Sequence, residues 1–220
     1  MQSGRRSTAP IALTFDDGPD LVWTPLVLDA LASVRTRATF FVVAPRARRY
    51  PSLLARMREE GHEVGLHCTE HVRHDAMTPE EIEADVESGL TALAGPVRHW
   101  RTPWGVVTPA TEEIARKQRL TLVGWTADTE DWRGDPPNEM LARVTRRLLP
   151  RTIVLMHDGI GPGATRDGCA MTVGAISPLV SLARSRGLAP VPLHELRRPL
   201  PDRNPDPWVS RTGMKQVPLV

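Results

Sequence analysis

Short apolar runs alternate with amphipathic segments along the chain. Candidate strands are Ile11–Phe15, Ala38–Val43, Glu63–Leu66, Val97–Trp100, Leu120–Trp125, Thr152–Met156 and Leu188–Val191. Each is too short for a free-standing helix, and several are rich in β-branched or aromatic residues. Between them lie helices with readable ends. Thr78-Pro79-Glu80-Glu81 supplies a cap, a first-turn proline and the acidic partner of a capping box. Ile82, Val86, Leu90 and Leu93 then mark one apolar face, and Gly95 is a natural stop. Thr24-Pro25 and Thr108-Pro109 repeat the cap-then-proline device. Asn138 opens a segment whose Leu141, Val144 and Leu148 share a face, closed by Pro150. This alternation predicts an α/β fold of about seven parallel strands joined by crossover helices, as a barrel or an open sheet.

The periodic pattern ends near residue 196. Beyond it Pro199, Pro201, Pro205, Pro207 and Pro218 interrupt the chain, so residues 1–196 read as one catalytic-sized domain and 197–220 as a proline-rich tail. Trp208 and the Val217–Val220 stretch give that tail a way to dock on its own subunit or on a second copy, which makes a homo-oligomer one expectation.

With 40% hydrophobic and 25% charged residues in 220, the chain has an ordinary globular composition, which excludes a disordered or collagen-like protein. No apolar run approaches the ~18 residues of a membrane-spanning helix. A net charge of +2 gives no reason to expect nucleic acid or a membrane as partner. Lys117 and Lys215 are the only lysines, a bias toward arginine that reads as codon composition in preference to a phosphate-binding surface. Cys68 and Cys169 cannot form a disulfide framework for a chain of this size. The segment Met1-Gln-Ser-Gly-Arg-Arg-Ser-Thr has no apolar core before Ile11, so a cytoplasmic location is expected unless a leader has been removed.

Five polar clusters follow predicted strands: Asp16-Asp17, His67 with His71, Arg101, Asp128 with Asp131, and His157-Asp158. In parallel α/β folds the carboxyl ends of the strands share one face, so these clusters converge. Asp16 and Asp17 precede Gly18-Pro19, a turn that lets two adjacent carboxylates take different jobs. His67 and His71 have the spacing that places two imidazoles on one metal, and a carboxylate from another strand end completes a three-ligand site with an open position. His62 and His74 compete with this reading. Arg101 either forms a surface ion pair or faces carboxylates and orients one of them. Trp132 is either packing or one wall of a pocket. His157 either belongs to the core or emerges at the rim ahead of the loop from Asp158.

The motifs Thr14-Phe-Asp-Asp-Gly-Pro19, His67-x-x-x-His71, Arg101-x-Pro-x-Gly105, Asp128-x-x-Asp131-Trp132 and Ile153-Val-Leu-Met-His157 stand in a familiar order. From about residue 10 to about residue 195 the chain resembles the polysaccharide deacetylases, carbohydrate esterase family four, also called the NodB homology domain. The resemblance implies a distorted (β/α) barrel and a metal-dependent N-deacetylase acting on an N-acetylated sugar. Zinc is the usual metal, with cobalt or nickel as alternatives. By similarity Asp17, His67 and His71 hold the metal, Asp16 is the general base paired with Arg101, and His157 is the general acid held by Asp131. Leu155 and Trp132 line the acetyl pocket, and the backbone N–H of Trp104 helps to stabilise the oxyanion. Two residues depart from the pattern. Cys68 stands where Ser or Thr is usual, which suggests sensitivity to oxidation, and Trp104 replaces Tyr. The absent leader favours a small intracellular glycoside as substrate. The alternatives are a wall polysaccharide, another amide, imide or ester hydrolysis on the same scaffold, or a glycan-binding module.

Overall fold

Strands and helices alternate through the whole of a computed structural model that describes residues 8–196. The strands are β1 (Ala9–Asp16), β2 (Thr39–Val43), β3 (Glu63–Cys68), β4 (His99–Trp100), β5 (Thr121–Leu122), β6 (Ala127–Asp128), β7 (Ile153–His157) and β8 (Leu188–Pro190). They pair in the order β5-β4-β3-β2-β1-β7-β6, every pair parallel. β8 joins β1 only along Ala9–Ile11, and β7 takes over from Ala12 to Asp16. The sheet therefore curls into a half-barrel, a distorted (β/α) barrel. The helices are α1 (Trp23–Ser33), α2 (Ala44–Arg49), α3 (Pro51–Glu59), α4 (Pro79–Leu93), α5 (Pro109–Lys117), α6 (Pro137–Thr145), α7 (Ala170–Ser185) and α8 (Leu193–Leu196). The tail from residue 197 lies outside the described residues.

The two-residue period of the strands sorts their side chains. Leu13, Phe15, Phe40, Val42, Val64, Leu66, Val154 and Met156 point outward into the main core beneath the helices. Ala12, Phe41, Val123 and Ile153 point inward, where Leu193 and Leu196 of α8 cover them. The same alternation turns Thr14, Asp16, His67, Leu155 and His157 toward the lumen. Gly65 also faces inward, and a Cβ there would meet the Phe41 ring at 2.8 Å. At the opposite end α8 is tied down by Glu63, whose Oε2 accepts the His194 N–H at 2.8 Å.

Three local expectations need correction. The run Leu120–Trp125 is not one strand: β5 stops at Leu122, and β6, absent from the sequence reading, begins at Ala127. The carbonyls of Val123 and Gly124 instead accept hydrogen bonds from the Arg101 guanidinium. Thr24 lies inside α1 and does not cap it. Asp20 Oδ1 accepts the N–H groups of Val22 and Trp23 at 2.8 and 2.9 Å. The capping box of α4 is formed by Thr78 and Glu81, yet the helix ends on Ala94, in the left-handed region at φ 42°, one residue before Gly95.

Candidate active site

Asp17 leaves the end of β1 with φ 72°, a left-handed conformation that aspartate tolerates better than most residues. This turn, one residue earlier than Gly18-Pro19, separates the directions of Asp16 and Asp17. Asp17 Oδ1 lies 3.4 Å from Nε2 of both His67 and His71, and those two nitrogens are 3.2 Å apart. His67 comes from β3 and His71 from the loop behind it. His67 Nδ1 is 2.7 Å from the Arg101 carbonyl. That contact makes Nδ1 a protonated nitrogen and turns Nε2 toward Asp17. Burial works against ionisation of Asp17, but His67 and His71 hold its carboxyl well below the usual range. Its buried Oδ1 nonetheless has no hydrogen-bond partner. One anionic oxygen and two imidazole nitrogens within 4.8 Å of one another suit a divalent cation better than they suit each other.

Asp85 of α4 shapes this centre from behind. Its carboxylate accepts the N–H groups of Thr69 and Glu70 at 2.9 and 2.5 Å, and its carbonyl accepts the Thr69 hydroxyl at 2.8 Å. The loop that presents His71 is thereby held without a hydroxyl at position 68. Cys68 is buried, with its thiol pushed far up by burial. It therefore lacks the thiolate and the access that oxidation requires, contrary to expectation. Arg46 donates to the carbonyls of Asp17 and Ile160, both at 2.8 Å, fixing the far side.

Asp16 Oδ1 accepts from Arg101 Nη1 at 2.8 Å. Arg101 is buried, lies 4.3 Å over the Phe41 ring, and also donates to Thr14 Oγ1. The surface ion pair is thus excluded. Asp16 occupies the register position opposite His157 on β7. His157 Nδ1 is 2.7 Å from Asp131 Oδ1, and its N–H donates to Asp131 Oδ2 at 2.9 Å. Burial lowers the imidazole pKa, but the Asp131 charge outweighs it and the group is raised to about 9. Asp131 is fully buried and also accepts from Thr172 Oγ1 at 2.6 Å and Arg166 Nη1 at 3.0 Å. Arg166 continues to the carbonyls of His157 and Gly159. Nothing in its spacing singles out Arg166 or Asp85. Both act through contacts made only on folding.

Leu155 is buried on the lumen face two residues before His157. Trp132 sits in a 3-10 turn after Asp131, and its carbonyl receives the Thr165 N–H at 3.0 Å. Trp104 is 47% exposed, holds φ 59°, and sets its ring edgewise 5.4 Å from His71. Asp128 is turned to its own loop, accepting the Glu130 N–H at 2.7 Å. His62 accepts the Ala38 N–H, and His74 is buried against Thr111. Neither belongs to the centre. Asp158 is buried below the Asp17 turn, receives the Thr24 hydroxyl at 2.5 Å, and is raised to about 7, mainly by burial.

On a parallel barrel, a carboxyl rim that combines a cation centre with a paired carboxylate and a carboxylate-backed imidazole marks a hydrolase. Residues 3–123 match the polysaccharide deacetylase family. A chitooligosaccharide deacetylase of Bradyrhizobium sp. (strain ANU 289) is 36% identical over 205 residues, covering 88% of this chain and 92% of the relative. A peptidoglycan-N-acetylglucosamine deacetylase of Bacillus cereus is 31% identical over 189 residues, covering 84% and 67%. Among solved structures, the Bc1960 peptidoglycan N-acetylglucosamine deacetylase superposes with a TM-score of 0.80 at 28% identity, covering 86% of this chain and 88% of that one. The chain belongs to the polysaccharide deacetylase family, a family of metal-dependent hydrolases acting on carbon–nitrogen bonds other than peptide bonds.

Proposed function

We propose that this protein removes the acetyl group from N-acetylglucosamine units of an oligosaccharide, releasing acetate and a free amine. The observation that carries this reading is the meeting, on one rim, of the Asp17–His67–His71 centre with the Arg101–Asp16 and Asp131–His157 pairs. Asp17, His67 and His71 would hold a divalent ion, with zinc the first choice for two imidazoles and one carboxylate. Such an ion lowers the pKa of water and polarises a carbonyl oxygen.

The chain's own groups divide the remaining work. Arg101 occupies Asp16 Oδ1 and leaves Oδ2 to take the proton of the attacking water. Asp131 fixes His157 Nδ1, so Nε2 carries the proton given to the departing nitrogen. Buried Leu155 offers the acetyl methyl an apolar contact, and exposed Trp104 a face for the sugar. The N–H of Trp104 serves the developing oxyanion. The names of the relatives support an oligomeric glycan over a small glycoside.

Acetate release from N-acetylglucosamine and its β-1,4 oligomers tests the reading. Turnover that rises with chain length, disappears with chelator and returns with zinc is expected. A preference for the monosaccharide would restore the small-glycoside reading. Activity that survives full metal removal and His67→Ala would overturn the mechanism.

A further inference from the structure

The parallel barrel segregates charge that the net value conceals. Strand-to-helix loops carry the carboxylates of the site, whereas helix-to-strand loops open at the other rim. There stand Arg35 before β2, Arg98 before β4, Arg119 before β5, and Arg146 and Arg147 before β7, all exposed. Among the described residues, none of these five guanidinium groups has a hydrogen-bond or ion-pair partner.

Helix-end chemistry is the competing explanation, since cations complement helix C-termini. It accounts for other arginines of this rim. Arg184 donates to the carbonyls of Val34 and Arg35, Arg186 donates to that of Thr145, and Arg37 pairs with Glu195 at 2.9 Å. Arg35, Arg119, Arg146 and Arg147 also lie within two residues of a helix end, but their side chains make no hydrogen bond there among the described residues, and Arg98 stands at no helix end. Most of the rim's own carboxylates are engaged: Glu60 by Arg56 at 2.6 Å, Glu63 by His99 and His194, and Glu195 by Arg37, while Glu59 remains. Between Arg147 and Arg151, Leu149 is 62% exposed and is followed by exposed Pro150. The described chain enters β1 and leaves α8 at this same end.

We propose that this rim docks on a bilayer surface containing anionic phospholipid, with Leu149 entering the interface. Guanidinium groups match phosphate oxygens in pairs, and exposed ones gathered in the loops at one end of a parallel sheet give that end a cationic face. An exposed leucine among them has a use in lipid and none on a polynucleotide backbone. Docked this way, the catalytic rim faces away from the membrane toward glycan, and this last consequence alone rests on the deacetylase reading.

The test is co-sedimentation of the full chain with vesicles of pure phosphatidylcholine or of phosphatidylcholine mixed with phosphatidylglycerol. Binding to the anionic vesicles at low salt and its loss at high salt are expected. Arg146→Ala with Arg147→Ala should weaken partition by about 25-fold, at about fivefold per arginine. Leu149→Trp should show a blue-shifted emission on binding. Release of acetate from soluble oligomers should be unchanged in all these variants, so docking and catalysis are scored separately. Equal partition into both vesicle types, or no effect of the arginine pair, would sink the proposal. Binding to duplex DNA without binding to vesicles would reassign the rim to a polynucleotide and overturn it equally.

Discussion

Replacing Asp131 by Asn tests the proton donor directly. In the native protein His157 is raised to about 9 because the Asp131 charge prevails over burial. The imidazole is protonated below that value, so the alkaline limb of kcat/KM lies near 9. Asn removes the charge, keeps the volume, and leaves the burial that lowers the imidazole toward or below 6.5. At about pH 8 the protonated fraction then falls from about nine-tenths to about 3%, an activity loss of ~30-fold; near pH 6 the loss from this cause is under about twofold. Misorientation of the ring adds a further loss that does not vary with pH. The assay is initial-rate detection of free amine on a chitooligosaccharide across the pH range. An alkaline limb that stays near 9 in the variant would refute the reasoning. Stability gives a second reading of opposite trend. A raised histidine pKa stabilises the fold fully below 6.5 and ceases to do so as pH rises through about 9. The Tm penalty of Asp131→Asn from this source should therefore be largest in acid and fade toward alkaline pH.

Other outcomes follow from the same geometry. Asp85→Ala should weaken zinc binding by about 10–100-fold in competition with a chromophoric chelator, because the His71 loop loses its anchor. kcat at saturating zinc should change only a few-fold, and unchanged affinity would reduce Asp85 to a fold-stabilising role. Asp158→Asn keeps the acceptor for the Thr24 hydroxyl and removes a buried charge. The native carboxyl is raised from 3.8 to about 7, so it destabilises the fold increasingly between those values and constantly above them. The variant should melt higher than the native protein above neutrality and similarly in acid. Cys68 and Cys169 should resist thiol reagents until the protein is denatured, since both are buried with raised pKa values. Rapid modification of the folded protein would contradict that burial.

Local spacing was enough for the strand–helix alternation, the Thr78–Glu81 box and the residues at the strand ends, because each depends on neighbours a few positions away. Period-two alternation likewise turns Thr14 and Asp16, or Leu155 and His157, to one face of a strand. It could not reveal β6, because a two-residue strand carries no periodicity and Arg101 draws off the carbonyls before it. Nor could it separate Asp16 from Asp17, which takes a left-handed φ at one residue. Asp85, Arg166 and Thr172 are ordinary polar residues until folding brings them against the His71 loop or the Asp131 carboxylate. Charge behaves the same way. A net value of +2 counts arginines and carboxylates without their places, whereas a parallel barrel sends alternate loops to opposite ends, separating the carboxylates of the catalytic rim from the arginines of the other.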